Sequence, residues 1–231
     1  MALVSNVRLQ LAAAVANGIC QSQAPAAAGN LNLNGTLVSA GVATLDTARR
    51  ILVTSDGNDS AATFTIYGTN RDGVAQQEAI TGLNATSKYT ALDFKTVTRI
   101  AIDRAAVGNI TAGTNGTGSS VWVMDNPGSR TFQLSVAVYV DPDLGAVTYT
   151  VEHTYDDPNK IGVTYDPPPQ NSSIAPGGFV PPIAWPNSTL RDQTASGEAV
   201  YNNPIQYHRV TITAGTGRVT MQSLQAEFGT T

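Results

Sequence analysis

The stretch that most constrains what this chain can fold into runs from Ala62 to Asp72 and reads Ala-Thr-Phe-Thr-Ile-Tyr-Gly-Thr-Asn-Arg-Asp. Its pattern returns 85 residues later as Val147-Thr-Tyr-Thr-Val-Glu-His-Thr-Tyr-Asp-Asp157. In both copies apolar residues alternate with Thr: Ala62, Phe64 and Ile66 answer Val147, Tyr149 and Val151. Such alternation marks a strand with one buried face. Both copies then break into an acidic turn. A looser echo follows, in which Arg99-Ile-Ala-Ile102, Gly108 and Ile110 answer Arg209-Val-Thr-Ile212, Gly217 and Val219 at an offset of about 110 residues. The two offsets place roughly 25 extra residues inside the second copy. The expected fold is all-β, with two successive antiparallel β-sandwich domains, jelly-roll or Ig-like, preceded by an N-terminal arm.

Strand and turn signals support that division. Residues 1–30 form the arm, in which Val4, Val7, Leu9 and Leu11 suit a short strand or helical turn and Gln21 to Gly29 reads as a linker. The arm is expected to pack on a neighbouring subunit or along the edge of the first domain. The first sandwich spans 31–126. Its expected strands include Ala48–Thr54, ended by Asp56-Gly-Asn-Asp59, and Lys88–Lys95, which carries Tyr89, Leu92 and Phe94 inward. Asp72-Gly73 closes a hairpin. Asn126-Pro127-Gly128 is the expected joint, and the second sandwich spans 127–231.

The extra residues are proline-rich. Ten of the twelve prolines lie from Pro142 to Pro204. Proline lacks the amide proton a central strand needs, so 165–187 reads as a long extended insertion. Tyr165, Pro167, Pro168, Pro169, Phe179, Pro181, Pro182 and Trp185 make it the candidate interface, since exposed aromatic anchors are typical of contact surfaces.

Composition restricts the chemistry. Charged residues make up 13% of the chain and the net charge is −4, so no basic face exists for a phosphate backbone and nucleic acid is not an expected partner. The single cysteine, Cys20, excludes an intrachain disulfide and a thiolate zinc site. No run of eighteen apolar residues occurs, so no membrane span is expected, and the N-terminal residues lack the pattern of a secretion signal. His153 and His208 lie in separate strands, with His153 read on the face opposite Val151, and no nucleophile elbow accompanies them. Asp56-Gly-Asn-Asp59, Asp141-Pro-Asp143 and Asp156-Asp157 could supply oxygen ligands for calcium but lack the full loop pattern. No catalytic residue, cofactor or metal is assigned. Seven Asn-x-Ser/Thr triplets follow from composition and are read as turns. Trp122 and Trp185 are possible sugar-stacking rings.

The run Phe64-Thr-Ile-Tyr-Gly-Thr-Asn-Arg-Asp-Gly73, then Glu78-Ala-Ile-Thr-Gly82, Phe94-Lys-Thr-Val-Thr-Arg-Ile100 and Gly108-Asn-Ile-Thr-Ala-Gly113, resembles structural proteins of tailed bacteriophages. Thr148–Asp157 and the closing Tyr207-His-Arg-Val-Thr-Ile-Thr-Ala-Gly-Thr-Gly217 are similar to such virion proteins as well. The resemblance implies a non-enzymatic virion component assembled in the host cytoplasm. The expected role is a head decoration or cement protein that contacts the major capsid protein or other virion subunits and forms a homo-oligomer. A tail, collar or fibre-attachment component is the alternative within that class. A carbohydrate-binding adhesin module is the alternative from another class, and a hydrolase or lyase using Asp141, Asp143, Asp156 and Asp157 is a third.

Overall fold

The structure, a computed structural model, describes residues 3–128, 132–158 and 184–225. The described residues are all-β, with 62% strand and large antiparallel sheets consistent with a β-sandwich. In chain order the strands are β1 (Leu3–Gln10), β2 (Cys20–Gln23), β3 (Gly29–Asn30), β4 (Val38–Ser39), β5 (Val42–Thr69), β6 (Ala75–Tyr89), β7 (Phe94–Ile102), β8 (Ile110–Ser119), β9 (Val123–Met124), β10 (Leu134–Val140), β11 (Val147–Thr154), β12 (Trp185–Pro186), β13 (Gly197–Tyr201), β14 (Tyr207–Gly215) and β15 (Arg218–Gln225).

The described chain divides into two compact units. One comprises residues 14–115, and the other 3–13, 116–158 and 184–225. This division differs from the 1–30, 31–126 and 127–231 boundaries in two places. β8 runs through the passage between the units without a break, so the change falls at Asn115 and not at the proline-glycine signal of Asn126–Gly128. The leader, too, is not one arm. Leu3–Gln10 is strand β1, paired antiparallel with β15 at the far end of the sequence in an unbroken register from Leu3↔Gln225 to Gln10↔Arg218. Ile19 and Cys20 lie in the core of the other unit, where the Ile19 N–H donates to Ala112 O at 2.9 Å.

The repeated strand seen in sequence is repeated in space with its partner. In the 14–115 unit, β5 pairs with β7 as Phe64↔Ile102, Thr65↔Ala101, Ile66↔Ile100 and Tyr67↔Arg99. In the other, β11 pairs with β14 as Tyr149↔Ile212, Thr150↔Thr211, Val151↔Val210 and Glu152↔Arg209. Every member of one set maps onto the other by the two offsets read from sequence. Phe64, Ile66, Ile100 and Ile102 face one hydrophobic core, and Tyr149, Val151, Val210 and Ile212 face the second. A one-residue slip would turn each set outward, so burial pins the register.

β5 is the largest departure from the expected short strands. Asp56–Asp59 does not end a strand, because β5 continues through it for 28 residues with register shifts against β6 at Ser55/Asn58 and Asp59/Thr63. Such bulges bend and twist a strand. Bent in this way, β5 lies on both sides of β7, pairing Ala43↔Val97 with its start and Gly68↔Val97 with its end. Gly68 permits the second contact, since a Cβ there would stand 1.9 Å from Thr96 O.

Lys88–Lys95 is likewise not one inward-facing strand. β6 ends at Tyr89, which is 54% exposed, and β7 begins at Phe94. The turn between them is held by polar groups. Thr90 Oγ1 accepts the Ile51 N–H and donates to Leu92 O, while the buried Glu78 carboxylate accepts the Ala91 and Leu92 N–H groups at 2.7 and 2.8 Å. The Asn70–Val74 hairpin forms where Asp72-Gly73 indicated, with Gly73 at φ 79° and Asn70 Oδ1 accepting the Asp72 and Val74 N–H groups. Three of the Asn-x-Ser/Thr sites read as turns, Asn58, Asn84 and Asn115, lie within strands.

The matched strand pairs predict matched costs. Ile66→Ala and Ile212→Ala should each destabilise the unit that contains it by about 2–5 kcal/mol, the usual cost of truncating a buried Ile. Hydrogen exchange on each variant checks this, with the loss of protection expected in the mutated unit's core amides.

Candidate interaction surface

Of the acidic residues weighed as calcium ligands, Asp56, Asp59 and Asp141 are engaged within the protein. Asp56 and Asp59 reach across to the loop before β8. Asp59 Oδ1 accepts the Val107 N–H at 2.7 Å and Oδ2 accepts Gly108 N–H and Ser55 Oγ–H at 3.1 and 2.6 Å. Asp56 accepts both the backbone and side-chain N–H of Asn109. The two segments touch at Gly57 and Gly108, where a Cβ on Gly108 would stand 2.2 Å from Gly57 N. Burial pushes the Asp59 carboxyl up, but its three hydrogen bonds outweigh that and hold it below the usual range. Asp141 pairs with Arg218, and its Oδ1 accepts the Asp143 N–H. Asp141 and Asp143 precede β11, and Asp156 and Asp157 follow it, so the four carboxylates considered for a hydrolase stand at opposite ends of a strand and not in one cleft. Among the described residues no group of three or more His, Cys, Asp and Glu could hold a metal ion. Cys20 is buried, and burial pushes its thiol up to about 12, far from a reactive thiolate at neutral pH.

The two histidines are brought together. His153 and His208 are direct cross-strand partners on β11 and β14. The reading of His153 opposite Val151 is corrected here: residues two apart on a strand share a face, and His153 packs edge-on against the core residue Tyr201, ring centroids 5.2 Å apart. Its Nδ1 lies 3.4 Å from the Tyr201 hydroxyl. His208 is fully buried, and its Nδ1 meets Asp125 Oδ2 at 2.8 Å, while Nε2 has no hydrogen-bond partner among the described residues. Burial pushes the Asp125 carboxyl up against the pull of His208, and burial lowers His153. Asp125 also donates its N–H to Gln206 O at 2.8 Å, so the pair ties the segment after β9 to the start of β14. This is the geometry of a structural clamp: the ring nitrogen facing the carboxylate is engaged, and the other is closed off from solvent.

The open surface lies elsewhere, on the sheet ordered β1-β15-β10-β13. Its registers align Val4, Leu224, Ser135 and Val200 in one cross-strand row, and Asn6, Gln222, Ala137 and Glu198 in the next. A third row holds Arg8, Thr220 and Tyr139. The opposite face, with Leu9, Val136, Val138 and Met221, is in the core. On the outer face Val4 is 69% exposed, Val200 50%, Leu224 47% and Tyr139 55%. The first two of these rows, with Ser5, Val136, Thr189, Ala199 and Ser223, line a groove of about 690 Å³. Large apolar side chains gathered on a solvated sheet face are a mark of an interaction site.

Of the residues expected at the interface, Tyr165, Pro167, Pro168, Pro169, Phe179, Pro181 and Pro182 lie outside the described residues. Trp185 is described: it sits on β12 opposite His153 and is 53% exposed. Tyr155, also 53% exposed, stacks edge-on with His153 at 5.8 Å. Trp122 is different, because the Arg209 guanidinium lies 4.4 Å above its ring while Arg209 Nε donates to Glu152 at 2.8 Å. The alternation of Val4, Asn6 and Arg8 with Val7 and Leu9 was readable in sequence. Nothing in sequence placed it beside β15.

No family model matches this chain, and no curated protein matches it. Among solved structures, a chain in the structure of infectious bursal disease virus strain Gx is similar over 99% of this chain and 71% of its own, at 10% identity and a TM-score of 0.20. A chain in the strain Gt structure is similar over 100% and 73%, at 10% identity and a TM-score of 0.16.

Two stability predictions follow from the buried polar groups. Asp59→Asn should cost about 1–3 kcal/mol, the penalty for upsetting buried hydrogen bonds, read as a lowered unfolding midpoint. Because Asp59 is held below its unfolded value, its contribution is present above the usual carboxylate range and fades as pH falls, so wild type and variant should converge in acid. His208→Ala should cost about 3–5 kcal/mol by leaving Asp125 buried without its partner. The Asp125 carboxyl is already raised, so this variant's deficit should grow as pH rises from acid to neutral, the same direction as for Asp59→Asn but over a higher pH range.

Proposed function

We propose that this chain is a non-enzymatic structural protein of a tailed-bacteriophage virion, a head decoration or cement protein that stabilises the capsid through contacts with neighbouring subunits. The observation that carries the reading is the outer face of the four-stranded sheet. An antiparallel scaffold presents Val4, Leu224, Val200 and Tyr139 to solvent, while charged groups such as Asp59, Glu78 and the Asp125–His208 pair serve internal ties. A scaffold of this kind suits holding neighbours in place. The sequence resemblance to phage virion proteins supports the same reading.

The alternative within the class is a tail, collar or fibre-attachment component. Copy number separates the two: quantitative mass spectrometry of purified particles should give hundreds of copies for a decoration protein, against roughly a dozen for a tail component. Absence from particles would sink both.

A second reading, a carbohydrate-binding module, is favoured by Trp185 and Tyr155, two half-exposed rings flanking His153. Stacking of an aromatic ring on a sugar would use such a surface. On this reading Trp185→Ala abolishes binding on a glycan array, whereas Trp122→Ala, whose ring is already covered by Arg209, leaves it intact; an array without any binder removes the reading.

A further inference from the structure

The four-stranded sheet has two free edges among the described residues, β1 on one side and β13 on the other. Open edges offer unpaired backbone N–H and C=O groups, and proteins that must avoid pairing blunt them with Lys, Pro or bulges. Neither edge here is blunted. β1 is Leu-Val-Ser-Asn-Val-Arg-Leu-Gln and β13 is Gly-Glu-Ala-Val-Tyr, without Lys or Pro, and neither pairing within the sheet has a register shift.

We propose that these two edges form a head-to-tail contact between copies of this chain, with β13 of one copy adding antiparallel to β1 of the next. Strand direction permits it. β1, β15, β10 and β13 alternate in direction, so β13 of a second copy in the same orientation runs antiparallel to β1.

Side-chain parity and charge select the register. Continuing the existing rows sets Val4 beside Val200 of the second copy, both half-exposed or more, and keeps Ser5 and Ala199 on the inner face. Asn6 then faces Glu198, and Arg8 lies on the diagonal to that carboxylate, within reach of a long side chain. Arg8 is the only charge on β1 and Glu198 the only charge on β13. The symmetric alternatives are poorer. β1 against β1 gives Arg8 no acid, and β13 against β13 brings two carboxylates together. A heterologous contact of this sort closes into a ring or runs on as a filament.

This contact names a partner for the virion reading but does not depend on it. A chain that assembles when pure yet is absent from particles defeats the virion reading alone, and a chain found in particles without this contact defeats only the contact.

Two experiments test it. Val4→Cys and Val200→Cys proteins, mixed under mild oxidation, should form mixed disulfides in preference to either homodisulfide, with buried Cys20 not competing. Homodisulfides in the majority, or no cross-link at all, overturn the proposal. In sedimentation of the intact chain, Arg8→Glu and Glu198→Arg should each weaken self-association by about fivefold, and the double reversal should restore it. Circular dichroism checks that each variant is folded. Failure of the double reversal to restore association, or a wild-type chain that stays monomeric at every concentration, overturns it as well.

Discussion

The antiparallel pairing of Phe64–Tyr67 with Arg99–Ile102, and of Tyr149–Glu152 with Arg209–Ile212, is the constraint on which both compact units are built. Each pair places two apolar residues from each strand into a core and two on the other face. The hydrophobic effect fixes which face turns inward, and the ladder of backbone hydrogen bonds then leaves one register. The outward end of each pair carries an arginine used in the same way. Arg99 stacks 3.7 Å over Tyr67, and Arg209 stacks over Trp122 while bonding Glu152. A guanidinium suits both roles because its flat face packs on a ring while its edge donates.

Around these pairs, buried polar groups decide where the chain turns. Glu78 holds the turn between β6 and β7 through two backbone amides, Asp59 holds the loop before β8, and Asp125 with His208 fixes the approach to β14. A buried carboxylate is tolerated only when its hydrogen bonds replace water, and each of these accepts from groups that would otherwise be unsatisfied. The acidic clusters that resembled ion loops are therefore explained in part by the backbone they hold. Gly57 and Gly108 are small for the same reason, since the two segments approach within contact of their backbones.

What remains on the outside follows from the same distribution. With so few charged residues in the chain, and several committed to internal ties, the outer face of the β1-β15-β10-β13 sheet is left with Val, Leu, Tyr, Ser, Asn and Gln and a single charge on each edge strand. That face comes from four distant parts of the sequence, with β1 near the start and β15 near the end.

The sequence by itself determined the all-β class, the two matching strands from Ala62 and Val147, the second matching set from Arg99 and Arg209, and the hairpin at Gly73, because each is written in period-two alternation or in a glycine's backbone freedom. Only the tertiary structure decided that Asp56–Asp59 is a bulge within β5, that Leu3–Gln10 pairs with β15, that His153 and His208 stand side by side, and that Val4, Leu224 and Val200 share one face. Local pattern reports which face of a strand is buried, through interactions between near neighbours. It carries no record of which strands become adjacent, since that choice rests on burial and hydrogen bonding between segments far apart in the chain.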